Sequence, residues 1–81
     1  MTYLDEHDVI SRLESRLRQF GYIKSDLEAC DLGIENMAKH VRVSERHIRA
    51  VLSSQEFAEK PLLDTLRLRQ IPQSPRYEEI L

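Results

Sequence analysis

Apolar positions along this chain recur at intervals of three and four, the period of an α-helix, and strand-like alternation is thin. Between Leu4 and Phe20, residues Val9, Ile10, Leu13, Leu17 and Phe20 form one stripe, with acidic and basic side chains opposite. The pattern predicts an amphipathic helix over this stretch, with Gly21 as its C-terminal cap. The stripe has the spacing of a core face and of a coiled-coil-like seam with a second copy. A small domain has few other apolar faces, which favours core packing. Ser25 can cap a short helical segment from Asp26 to Asp31 with Leu27 and Cys30 turned inward, and Leu32 and Gly33 read as a break.

The chain is organised around the stretch from Ile34 to Ser53. Met37 and Val41 on one side of a break, and Ile48 and Val51 on the other, keep helical spacing. Ala38 is small enough for two helices to cross closely, and Val43 can plug the corner. Ser44 can accept from backbone N–H groups of the following turn, which encodes the start of a second helix. The pattern is that of a helix-turn-helix. Arg42 falls in the turn, where such motifs favour Gly because the chain tends to a left-handed conformation. Further on, Phe57, Leu62, Leu63, Leu66 and Ile71 predict one more amphipathic helix, starting near Pro61 and stopping before Pro72. Residues 73–81 read as a short C-terminal tail whose closing Ile80 and Leu81 either dock on the body or on a partner or, as is commoner for terminal residues, are loosely held, which leaves residues 1–72 as the helical domain. The predicted fold class is all-α, a compact bundle of four to five helices containing a helix-turn-helix.

Composition narrows the class. In 81 residues, 41% hydrophobic and 32% charged with two glycines, the balance is that of a globular helical protein. So short a chain has a marginal core that oligomerisation would help. No apolar run is long enough to span a bilayer, and the N-terminus is acidic where a signal peptide is basic, so no membrane association and a cytoplasmic location are expected. Cys30 stands alone, which rules out an intramolecular disulfide, and no close set of Cys and His suggests a metal. The net charge of −2 is unusual for a nucleic-acid binder. It is unevenly spread. Residues 1–36 carry −4, residues 37–49 carry +3 from Lys39, Arg42, Arg46 and Arg49 against Glu45, and the remainder carries −1. The positive charge sits in the stretch that the apolar pattern selected, as a footprint on a polyanion requires.

If that second helix enters the major groove of DNA, the inward turn of Ile48, Val51 and part of Leu52 leaves Ser44, Glu45, Arg46, Arg49, Ala50 and Ser53 outward as base-reading candidates. Arg46 and Arg49 lead this set, because they share one exposed face and a guanidinium fork matches the acceptors of guanine. Glu45 can accept from cytosine or simply favour the positive end of its own helix, and capping alone accounts for Ser44. Lys39, His40 and Arg42 are placed for phosphates. The bland readings are a solvated helix face for the basic residues, surface or half-buried positions for His40 and His47, and a surface position in a first helical turn for His7.

The segment LGIENMAKHVRVSERHIRAVL, Leu32 to Leu52, resembles the first DNA-binding half of AraC-type regulators, and PLLDTLRLRQ is loosely similar to the linker helix of that family. The likeness covers about a quarter of the chain. It implies sequence-specific DNA binding through the helix from Ser44 to Ser53 in a bacterial or phage setting, and the length suits a free-standing phage or plasmid regulator. The expectation is thus a small transcriptional regulator that binds double-stranded DNA as a homodimer. The dimer would form through the Leu4 to Phe20 helix or the segment from Leu62 to Leu81. The alternative is a small helical adaptor that binds a partner protein and not DNA. No nucleophile with a nearby base, acid–base pair or phosphate-cradling loop stands out, so neither an enzyme nor a cofactor is expected.

Overall fold

The structure, a computed structural model, describes residues 3–80. Four helices run in the order α1 (Glu6–Arg18), α2 (Leu27–Val41), α3 (Glu45–Leu52) and α4 (Lys60–Thr65), followed by strands β1 (Leu68–Gln70) and β2 (Tyr77–Glu79). The fold is therefore mostly helical with a small antiparallel sheet, and the all-α expectation is corrected. Asp5 starts α1 by accepting from the Asp8 N–H while Asp8 accepts from the Asp5 N–H, a reciprocal cap. Leu4, expected inside this helix, lies before it. At the other end Gly21 takes φ 97°, and the N–H groups of Gly21 and Tyr22 bond back to the carbonyls of Arg18 and Leu17, both at 3.1 Å. That is the Schellman arrangement with glycine at its left-handed position, as the sequence leads one to expect.

The separate Asp26–Asp31 helix and the break at Leu32 and Gly33 are not found. Asp26 caps one continuous helix, α2, that runs through both positions. Gly33 acts through its size instead of its flexibility. A Cβ placed there would lie 2.5–2.6 Å from the backbone N and Cα and the Cβ of Tyr22, so its absence lets α2 pass close beneath the turn that follows α1. A continuous helix also sets Leu27 differently from the expectation. It faces solvent at 82% exposure, whereas Cys30 is half-buried and its thiol donates to the Ile23 carbonyl at 3.0 Å.

The core is built by Val9, Leu13 and Leu17 of α1, Ile34, Met37 and Ala38 of α2, Ile48 and Val51 of α3, and Leu62, Leu63, Leu66, Leu68 and Tyr77 beyond. Val9, Leu13 and Leu17 of the α1 stripe and the leucines from Leu62 to Leu68 are thus spent on this interior, with Phe20 packed at its edge. The helix expected from Pro61 to Pro72 ends at Thr65, with Pro61 in its first turn. Arg67, at φ 57°, then turns the chain into β1. Phe57, counted with the apolar face of that helix, precedes α4 and is 60% exposed.

The segment read as a tail forms the second strand. Pro72 and the left-handed Gln73 (φ 62°) occupy the centre of a turn closed by the Ser74 N–H on the Ile71 carbonyl at 3.1 Å. Leu68 then faces Glu79, and Gln70 faces Tyr77. Tyr77 is 1% exposed, which pushes its hydroxyl pKa up, and it exchanges backbone hydrogen bonds of 2.8 and 2.7 Å with Leu4. Arg12 of α1 pairs with Glu79 above this contact. Ile80 is 42% exposed, and Leu81 lies outside the described residues.

Gly33→Ala is expected to destabilise the protein by about 1–2 kcal/mol in chemical denaturation. The helix preference for Ala, roughly 1 kcal/mol, is outweighed by overpacking against Tyr22 backbone, which costs about 1–3 kcal/mol. A more stable variant would mean that α2 has room to move away.

Candidate nucleic-acid interface

The connection between α2 and α3 is short because each helix end is closed by its own residues. Arg42 ends α2 in the left-handed region, φ 64° and ψ 40°, with its N–H on the Ala38 carbonyl at 2.9 Å. This is the conformation expected at that turn, carried by a residue with a side chain. Val43 packs against the core, and Ser44 starts α3 by accepting from the His47 N–H at 3.0 Å.

Along α3, Ile48 and Val51 point inward and Glu45, Arg46, Arg49 and Ser53 point to solvent. Ala50 does not join them. It is 6% exposed, because the chain after α3 folds back over that flank. The reversal is a second Schellman-type turn, with Ser54 at φ 61° where glycine is usual. The Ser54 N–H reaches the Val51 carbonyl at 3.1 Å, and that of Gln55 reaches the Ala50 carbonyl at 2.8 Å. The returning strand of chain brings Glu56 beside α3. There its Oε1 accepts from Arg46 Nη1 at 2.7 Å, and its Oε2 lies 2.9 Å from Nδ1 of His47.

His47, like Ala50, lies deeper than expected. It is 2% exposed, and its second ring nitrogen, Nε2, accepts from the Glu59 N–H at 3.0 Å. A signal for this was present, since His47 precedes Val51 by four residues, which puts it on the side of the helix that carries an inward apolar position. The hydrogen bonds from His47 first, and then from Arg46, hold the Glu56 carboxyl below its usual range, and the same bond raises the Arg46 guanidinium further.

The other candidates are distributed as follows. Arg49 donates to Asp31 of α2 at 2.6 Å, and the two side chains are 48% and 63% exposed. Ser53 stays outward, but its hydroxyl donates to the Arg49 carbonyl at 2.7 Å and so serves its own helix end. Glu45 is exposed in the first turn of α3, where a carboxylate favours the helix N-terminus. Lys39 pairs with Glu35 one turn earlier at 3.1 Å. His40 is exposed with its ring 5.3 Å from that of Phe20, and Arg42 is exposed with no ion pair among the described residues. The structure thus gathers Arg46, Arg49, Glu45 and Ser53 on one face, with Lys39, His40 and Arg42 near the turn. It also adds two carboxylates, Asp31 and Glu56, that each engage one arginine.

Among the described residues no group of three or more His, Cys, Asp or Glu is placed to hold a metal ion, and no helix is long and apolar enough to cross a membrane. In comparisons with family models, curated proteins and solved structures, nothing matches the chain.

The depressed carboxyl of Glu56 sets the sign of a pH effect. A group whose folded pKa lies below its unfolded value stabilises the fold above the ordinary carboxylate range, and that contribution is lost as pH falls through the folded value. Stability measured by urea titration is expected to drop on acidification below about pH 5. In Glu56→Gln the drop should be shallower than in wild type, with the remainder carried by groups such as Asp5, whose carboxyl is lowered by its cap on Asp8. Identical acid profiles for the two proteins would contradict this assignment.

Proposed function

We propose that this chain is a small sequence-specific DNA-binding protein that reads the major groove with α3, in the manner of a helix-turn-helix regulator. The observation that carries the reading is the split of α3. One side, with His47, Ile48, Ala50 and Val51, is buried, and the other presents Arg46 and Arg49 with side chains 75% and 48% exposed. A short helix anchored from behind, with two forked donors in front, suits the acceptor edges of guanine. Glu45 and Ser53 flank the arginines at the helix ends. Lys39, His40 and Arg42 lie beside the turn, where the helix before a reading helix crosses the phosphate backbone. Neither ion pair closes this face: the exposed Asp31–Arg49 pair is weak in water and screened by salt, and Glu56 engages Nη1 of Arg46 alone among the described residues.

A single copy offers few phosphate contacts on a chain of net charge −2, so the reading includes a homodimer with its two α3 helices one turn of DNA apart, roughly 34 Å. The α1 stripe is occupied in the core. A dimer would form through the exposed apolar side chains of Ile23, Leu27 and Leu32, which are 53%, 82% and 54% exposed.

Those same side chains favour the second reading, a helical adaptor for a partner protein. Ile23 also borders an open groove of about 620 Å³ with Arg18, Tyr22, Lys24 and Ser25. In that case Leu27→Asp would abolish capture of a partner without altering the fold, and the capture would survive nuclease.

Selection from a random duplex pool, followed by titration at two salt concentrations, tests the first reading. Arg46→Ala and Arg49→Ala should each weaken binding to the selected site by roughly 5- to 150-fold. Removing Lys39 or Arg42 should weaken all duplexes alike and flatten the salt dependence by about one ion. Absence of salt-sensitive binding to any duplex would end this reading.

A further inference from the structure

Arg46 and Arg49 are held by carboxylates of different kinds. Asp31 is 63% exposed and makes no second side-chain hydrogen bond among those described. Glu56 is fixed from several directions. Its backbone N–H and that of Gln55 both reach the Ala50 carbonyl, and its Oε2 lies 2.9 Å from the ring of buried His47. Because Nε2 of His47 accepts from the Glu59 N–H, that nitrogen carries no proton, and Nδ1 is the donor to Glu56. The remaining oxygen, Oε1, receives only Nη1 of Arg46 among the described residues. The Nε and Nη2 donors of that guanidinium have no partner among the described residues, and together they form a two-pronged edge.

We propose that Glu56, locked by His47, is a positioning residue that holds the Arg46 guanidinium on the outer face of α3 with its Nε–Nη2 edge directed to a planar pair of acceptors, the major-groove edge of guanine. The proposal rests on the DNA-binding reading. Ordering a long side chain is a recurrent cost of recognition, and here the free protein has already ordered it. Asp31 provides an internal contrast, since its exposed carboxylate touches Arg49 with no second side-chain partner among the described residues to hold it.

The test pairs side-chain dynamics of the free protein with binding. In wild type the Arg46 Nε–H should give a resolved, slowly exchanging NMR signal with restricted motion. In Glu56→Gln the signal should become mobile, while in Asp31→Asn it should stay unchanged. On a selected duplex, Glu56→Gln should lose on the order of tenfold in affinity, within the range of one bidentate arginine contact, with no loss on a scrambled duplex. Asp31→Asn should shift both duplexes equally. If Glu56→Gln tightens both duplexes by the same factor, Glu56 only screens the charge of Arg46 and the proposal is overturned. Arg46→Lys, an exposed change that keeps the charge and gives up the fork, covers the case of a misfolded Glu56 variant. It should lose affinity for the selected duplex alone, and wild-type affinity would overturn the proposal. If wild type binds no duplex, the DNA reading falls, and so does the guanine acceptor; the ordering role of Glu56 is then decided by the Arg46 signal, upheld by rigidity that Glu56→Gln abolishes and overturned by equal mobility in both.

Discussion

The close passage of α2 under the backbone of Tyr22, open only because residue 33 has no side chain, sets the position of the helix against which α1, α3 and α4 all pack. With α2 seated there, Ile34, Met37 and Ala38 reach the interior together with Leu13 and Leu17 of α1. The turn at Arg42 then starts α3 from a defined point. A displacement of α2 at Gly33 is carried through the helix to the arginine-bearing face, because a packed helix transmits strain along its length instead of absorbing it.

The elements that the sequence made legible are those whose signals are local. The Ser44 cap, the left-handed turn at Arg42, the Gly21 cap and the buried positions Met37, Ile48 and Val51 follow from spacing and from side-chain chemistry within a turn or two. What escaped depends on contacts between distant segments. Gly33 reads as a break when only its flexibility is considered, and its role as a gap for Tyr22 is invisible without the tertiary neighbour. Pro72 reads as a helix stop, yet it serves as a corner of a hairpin. The turn uses Gln73 where glycine or asparagine would have announced it. The strands are three residues each, too short to show alternation.

The candidate site divides along the same line. Arg46, Arg49, Glu45 and Ser53 fall on the outward face that their spacing from Ile48 and Val51 demands. Ala50 does not, because a loop from outside the helix covers it, and nothing in α3 encodes that loop. The carboxylates were missed for a related reason. Asp31 and Glu56 are far in sequence from the arginines they touch, or lie across a left-handed turn at Ser54 that the residue type does not advertise.

The exchange of hydrogen bonds between Leu4 and Tyr77 joins segments from opposite ends of the described chain. Helices form from neighbours and assemble early, whereas bringing such remote segments together carries the full entropy of closing the intervening loop. This pairing is therefore stable only where the packed helices between the two segments have already offset that entropy. The little sheet works as a latch, engaged only when every helix beneath it is in place, and its two amides report on the integrity of the whole fold.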